Sequence, residues 1–158
     1  MGAVFFYHLT RSAPEAAVAM LAERAARQGW RAAVRLREAA RADWLDQKLW
    51  LGPEEGFLPH GIAGGPHDGL QPLLLAVGPD LPEGVRFLMA MDGADITPGE
   101  VAALDRAAIL FDGNDPAAVE AARGQWRTLT AAGLEAQYWS EESGRWQKKA
   151  ESGAAASA

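Results

Sequence analysis

The chain contains no cysteine. That removes disulfides, thiolate nucleophiles and cysteine-ligated zinc from consideration, and it fits a reducing interior. The opening Met-Gly-Ala-Val-Phe-Phe-Tyr-His-Leu has no basic leader and too short an apolar run for a signal peptide. Phe6 stands where a myristoylation motif wants Ser or Thr. No membrane span is indicated, so a cytoplasmic protein without membrane association is expected. Basic charge is scarce where it would matter for a broad nucleic-acid footprint: residues 42–118 hold three basic against thirteen acidic residues. Binding to phosphates is driven mainly by Lys and Arg, so any DNA is expected to be reached indirectly, through another protein. The flanks differ, with seven Arg against three Glu in residues 11–41 and five basic against four acidic residues in 119–149.

What is present describes one globular domain. At 158 residues, 49% hydrophobic and 23% charged, the chain is long enough to bury roughly two thirds of its unfolded surface around one core. Residues 4–9 form an apolar run of strand length. Ser12 and Pro14 then give a helix start with Ser12 as cap, and apolar residues at helical spacing run from Val18 to Ala26 until Gly29. Residues 31–37 alternate basic and apolar and read as a half-buried strand. Residues 39–50 read as a second helix. A Gly- and Pro-rich loop is expected over residues 51–71, and a loop that long in a compact domain is usually functional or disordered. Strands follow at 72–77, 85–91 and 107–111, with a short helix near 98–104. Asp115 and Pro116 start a last long helix that Gly133 ends.

Strands alternating with helices at these spacings mean βαβ units, hence a three-layer α/β/α fold with a mainly parallel sheet. One domain is expected over residues 1–150, and the small-residue stretch 151–158 reads as a flexible tail. The fold is Rossmann-like, but no nucleotide-binding loop is present: between the first strand and helix stand Thr10-Arg-Ser-Ala-Pro14, without the glycines that let amides approach a phosphate. Gly61, Gly64 and Gly65 precede a strand rather than a helix and read as a surface turn. His60, His67 and Asp68 have no fixed geometry for a metal. His8 reads as a satisfied core histidine. Asp43, Asp46 and Asp92 are scattered, and Ser12, Ser140 and Ser143 have no elbow or triad context. No catalytic residue, cofactor or metal is therefore assigned. A nucleotide-binding or hydrolytic enzyme remains the rival reading, with direct single-stranded DNA binding through aromatics and arginines as a second.

Six tryptophans are many for this length, and Trp and Arg are enriched at binding hot spots. Trp30 and Trp44 are expected to be buried. On the last helix, Val119, Ala122, Trp126 and Leu129 form a stripe that should face the sheet. Arg123 and Arg127 lie one step round, where two guanidinium groups on one face suit a carboxylate. Trp50 and Phe57 bracket the central loop, whose apolar character is unusual for a surface connection.

The motif Leu45-Asp46-x-x-Leu49-Trp50 followed by Phe57-x-Pro59-His60, with Phe6-Tyr7 before it and Gln71-Pro72 after it, resembles the signature of the chi subunit of bacterial DNA polymerase III, a clamp-loader accessory protein. The resemblance implies a non-catalytic subunit for DNA replication and repair. Its last helix and the aromatic, basic segment beyond would receive the acidic C-terminal tail of single-stranded-DNA-binding protein. Carried over residue by residue, that surface comprises Arg123, Trp126 and Arg127, with Trp146 and Lys148 resembling a terminal aromatic-basic pair. Trp139 is a second candidate for that aromatic. Trp50, Phe57, Pro59 and His60 would bind the psi subunit or a helicase.

Overall fold

The computed structural model describes residues 2–50, 60–62 and 72–152. Its elements run β1 (Ala3–Leu9), α1 (Pro14–Arg27), β2 (Ala32–Leu36), α2 (Ala39–Trp50), β3 (His60–Ile62), β4 (Leu73–Val77), β5 (Phe87–Ala90), α3 (Pro98–Ala103), β6 (Arg106–Asp112), α4 (Pro116–Ala131), β7 (Glu135–Ser140) and β8 (Gln147–Ser152). The strands form one sheet in the order β3-β4-β2-β5-β6-β1-β7-β8. Every neighbouring pair is parallel except β7 with β8.

Alternation along each strand divides the apolar residues between two faces. Leu9, Val34, Leu36, Leu75, Met89 and Leu110 join the buried faces of α1 and α2, including Val18, Leu21 and Leu45. Val4, Phe6, Leu74, Leu88, Ile109 and Ala136 join α3 and α4 through Val101, Ala122 and Leu129. Helices therefore flank a mostly parallel sheet on both sides. The connections from β1 to β2 and from β2 to β3 run one way across the sheet over the α1/α2 face. Those from β5 to β6 and from β6 to β7 run the other way over the opposite face.

Close approach fixes two glycines. A Cβ on Gly2 would lie 2.0 Å from the Val101 carbonyl oxygen, and one on Gly113 would lie 2.0 Å from His8 Cδ2. Only a residue without a side chain lets the chain pass there. His8 is buried as expected, stacked on Phe111 at 5.2 Å, with Nε2 3.3 Å from the Gly113 carbonyl.

Four local expectations change. Ala13, not Ser12, is the N-cap of α1, and no side chain caps it; the Ser12 hydroxyl is drawn instead to Glu141. β2 is buried on both faces rather than one, because parallel strands in the middle of a sheet are covered twice. Its Arg35 is only 4% exposed. Residues 51–71 are not all loop, since β3 lies among them and pairs with β4. Finally, β7 and β8 extend the sheet past the last helix, and β8 carries Glu151 and Ser152, the first two residues of the stretch read as a tail.

Candidate protein-interaction site

A cleft of about 570 Å³ opens between α4 and the β7–β8 hairpin, lined by His8, Arg123, Trp126, Arg127, Tyr138, Ser140, Glu142, Lys149 and Ala150. Its floor is aromatic. Trp126 meets Phe6 edge-on at 5.3 Å and Tyr138 edge-on at 6.0 Å, while Tyr138 stacks on Phe6 at 6.4 Å. α4 supplies these contacts because Asp115 caps it by accepting from the Ala117 amide and Ala122 and Leu129 anchor it to the sheet. Trp126 is thereby held half-buried, with part of its ring left to the cleft.

The rim is cationic. Arg123 and Arg127 have side chains 65% and 68% exposed, and Glu120 sits 3.9 Å from the first and 3.8 Å from the second. This carboxylate offsets the repulsion expected between two like charges four residues apart. Exposed pairs of this kind contribute only ~0–1 kcal/mol, so an incoming carboxylate can take over either arginine. Burial pushes the Tyr138 phenol up, with Arg123 pulling it down and Glu142 adding to the rise. Tyr138 therefore stays protonated and able to donate a hydrogen bond.

Not all five residues expected on this surface meet there. Arg123, Trp126 and Arg127 do. Trp146 lies across the sheet, packed edge-on against Tyr7 at 5.5 Å on the α1 face. Lys148 pairs with Glu151 at 2.5 Å and stands opposite Trp139 in the β7–β8 ladder. Lys149 lines the cleft instead. The reason is a register shift between Tyr138 and Trp139, which face Ala150 and Lys148 respectively and leave Lys149 as the extra residue of a bulge. No sequence pattern marks that bulge.

The site where an α/β sheet would hold a nucleotide is differently occupied. β1 and β6 send their helices to opposite faces, so a crevice opens at their C-terminal ends. Leu9, Thr10, Asp112 and Asn114 help to line a cavity of about 600 Å³ there. Glu141, 5% exposed, reaches into the β1–α1 turn. Its carboxylate accepts from the amides of Thr10, Arg11 and Ser12 at 3.2, 3.1 and 2.7 Å and from the Ser12 hydroxyl at 2.7 Å. A phosphate would have to displace an internal carboxylate from the amides it needs, beside Asp112 and Asp115. Among the described residues, no group of three or more His, Asp or Glu could hold a metal ion.

Burial opposes the charge on Glu141, but the hydrogen bonds from Ser12, Arg11 and Thr10 outweigh it and hold the carboxyl below its ordinary 4.5. Its stabilising contribution is therefore complete above that value and is lost as pH falls through the lowered folded value. Glu141→Gln is expected to cost about 1–2 kcal/mol at pH 7. The two urea midpoints should converge below pH 4.5. Parallel curves down to pH 3 would show that the turn does not depend on this charge.

Of the second expected surface, Phe57 and Pro59 lie outside the described residues. Trp50 closes α2 and His60 opens β3. Trp30 and Trp44 are half-buried against the α1/α2 core, as a packing role requires.

No curated protein matches the chain. The family model described as DNA polymerase III chi subunit, HolC, matches residues 1–137. That span takes in β1, α2 and α4 with Arg123, Trp126 and Arg127, and it stops before Trp139, Trp146 and β8. With most of its length matched, the chain belongs to the DNA polymerase III chi subunit family.

Proposed function

We propose that this chain is a non-catalytic cytoplasmic accessory subunit that bridges the clamp loader of DNA polymerase III to the acidic C-terminal tail of single-stranded-DNA-binding protein. Through the tail cleft, single-stranded DNA is reached indirectly, by way of that partner. The Rossmann-like sheet serves as a scaffold for protein contacts and no longer as a nucleotide site. The observation that carries the reading is the α4 cleft, where Arg123, Arg127 and Lys149 surround the apolar floor of Trp126 and Tyr138. A chain terminus bearing a carboxylate and an apolar ring suits that combination. The second partner, the psi subunit or a helicase, binds through Trp50, Phe57, Pro59 and His60. Trp50 ends α2, on the face of the sheet away from α4, so both partners fit at once.

The test is a titration with a peptide ending in acidic residues and Pro-Phe. Few contacts give an affinity on the order of micromolar. Adding one residue after the terminal Phe should weaken binding at least about tenfold, or ~1.4 kcal/mol. Undiminished binding of the extended peptide would reject capture of the terminal carboxylate. In the same assay, Trp50→Ala with Phe57→Ala should leave tail binding intact while a pull-down loses the clamp-loader or helicase partner. Loss of both would indicate one shared surface.

A further inference from the structure

On the face of the sheet away from α4, a cleft of about 520 Å³ lies between α1 and the strands β1 and β7. It is separate from the tail site and from the nucleotide-type crevice. Tyr7 and Trp139 stand side by side on β1 and β7, and Trp146 closes over Tyr7 from the far side of the β7–β8 turn. α1 leaves this part of the sheet open because it crosses to β2, packing against that strand and α2. Two half-buried aromatic rings on neighbouring strands and a third in the β7–β8 turn thus line a concave surface.

Charge distinguishes this cleft from an ordinary apolar dimple. Arg24, Arg27 and Arg106 line it, and no carboxylate does. Arg27 pairs with Glu23 at 2.9 Å, whereas Arg24 and Arg106 have no ion-pair partner among the described residues. Arg106 lies 4.4 Å over the Phe5 ring, and its Nε is buried without a hydrogen-bond partner. Both guanidinium groups act on the Tyr7 phenol, which burial nevertheless pushes up.

The lining is rich in donors and poor in acceptors. A peptide would bring main-chain N–H groups that need acceptors, and among the lining side chains only Gln28 and the Tyr7 hydroxyl could serve. A phosphodiester brings acceptors only, and a base brings a π-face for which Trp and Tyr are the usual platform. We propose that this cleft holds one nucleotide of single-stranded DNA, its base against Trp139 and Trp146 and its phosphate between Arg24 and Arg106. The footprint is narrow, in keeping with the acidic centre of the chain. The two clefts share no lining residue and lie on opposite faces of the sheet, so the site is additional to the tail cleft.

Titration of the full chain with (dT)8, read by tryptophan fluorescence, tests this. Quenching should saturate, and with one phosphate neutralised the logarithm of the binding constant should fall with the logarithm of salt at a slope of roughly −0.7. Arg24 is exposed and has no ion-pair partner among the described residues, so Arg24→Ala should keep the wild-type melting temperature. It should weaken (dT)8 binding by about fivefold to tenfold and flatten the salt slope. Trp146→Ala should remove most of the quenching. The acidic tail peptide should not compete, which separates failure here from failure of the tail site. Absence of quenching, or competition by the peptide, would each overturn the proposal.

Discussion

Arg35→Ala is expected to destabilise the fold by about 3–5 kcal/mol and to lower the melting temperature by roughly 10 °C. Arg35 sits on β2 in the middle of the sheet. Its guanidinium donates to both oxygens of Glu100 at 2.9 and 2.6 Å, to the Asp95 carbonyl at 2.9 Å and to the Pro79 carbonyl at 2.9 Å. One side chain thus ties the central strand to the β4–β5 connection, the β5–α3 turn and the first turn of α3. Truncation strands a carboxylate and two carbonyls together, and a buried group left without its partner loses its full desolvation compensation. Glu100→Ala should cost at least as much, because Arg35 is the more buried member, at 5% side-chain exposure against 21%. A loss below 1 kcal/mol for either variant in urea denaturation would mean that water replaces the pair.

The same pair sets a pH dependence. Hydrogen bonds from Arg35, helped by Thr97 and opposed by burial, hold the Glu100 carboxyl below its ordinary 4.5. Stability from this group is therefore complete above pH 4.5 and is lost as pH falls through the lowered folded value. Glu100 also closes the Thr97 capping box of α3. Protonation would then loosen the start of that helix together with the ion pair, and Glu100→Gln should remove this part of the acid transition.

Arg127→Glu carries the largest effect on function. If Arg127 were merely solvated, reversal would change stability by no more than about 0.5 kcal/mol and nothing else. Facing a bound carboxylate, it is expected to cost the tail about 2–3 kcal/mol, roughly a hundredfold in affinity, because a charge-assisted hydrogen bond becomes a repulsion. Rising salt should weaken the wild-type complex, since exposed charges are screened over about 8 Å at physiological ionic strength. Glu120→Gln is the complementary variant. It frees both arginines and should bind the tail at least as well as the wild type. A folded Arg127→Glu protein with wild-type tail affinity would remove Arg127 from the site and leave Lys149 and the β7–β8 hairpin as the receiving surface.

Local pattern was enough to read much of the fold. The apolar runs of β1, β4 and β6 and the Asp115-Pro116 start of α4 are short-range signals, and their alternation implied a mostly parallel sheet with helices on its faces. The stripe Val119, Ala122, Trp126, Leu129 correctly turned α4 toward the sheet, leaving Arg123 and Arg127 outside. The family was legible as well, because its motif is a continuous run of residues around Trp50 and His60.

Tertiary structure alone decided what depends on distant partners. Arg35 read as one half of an alternating pattern until the fold brought Glu100 to it from 65 residues away. Ser12 read as a helix cap because Glu141, 129 residues on, was not part of its local sequence. Trp146 and Lys148 were grouped with α4 by the family resemblance. Side chains on a strand alternate between faces, so which of them meets α4 is settled by register, and a single bulged residue at Lys149 moves one lysine into the cleft and leaves its neighbour outside. Sequence determines the periodicity of each element and hence its two faces. Which face meets which partner is fixed by strand order and register, which are long-range properties of the packed sheet.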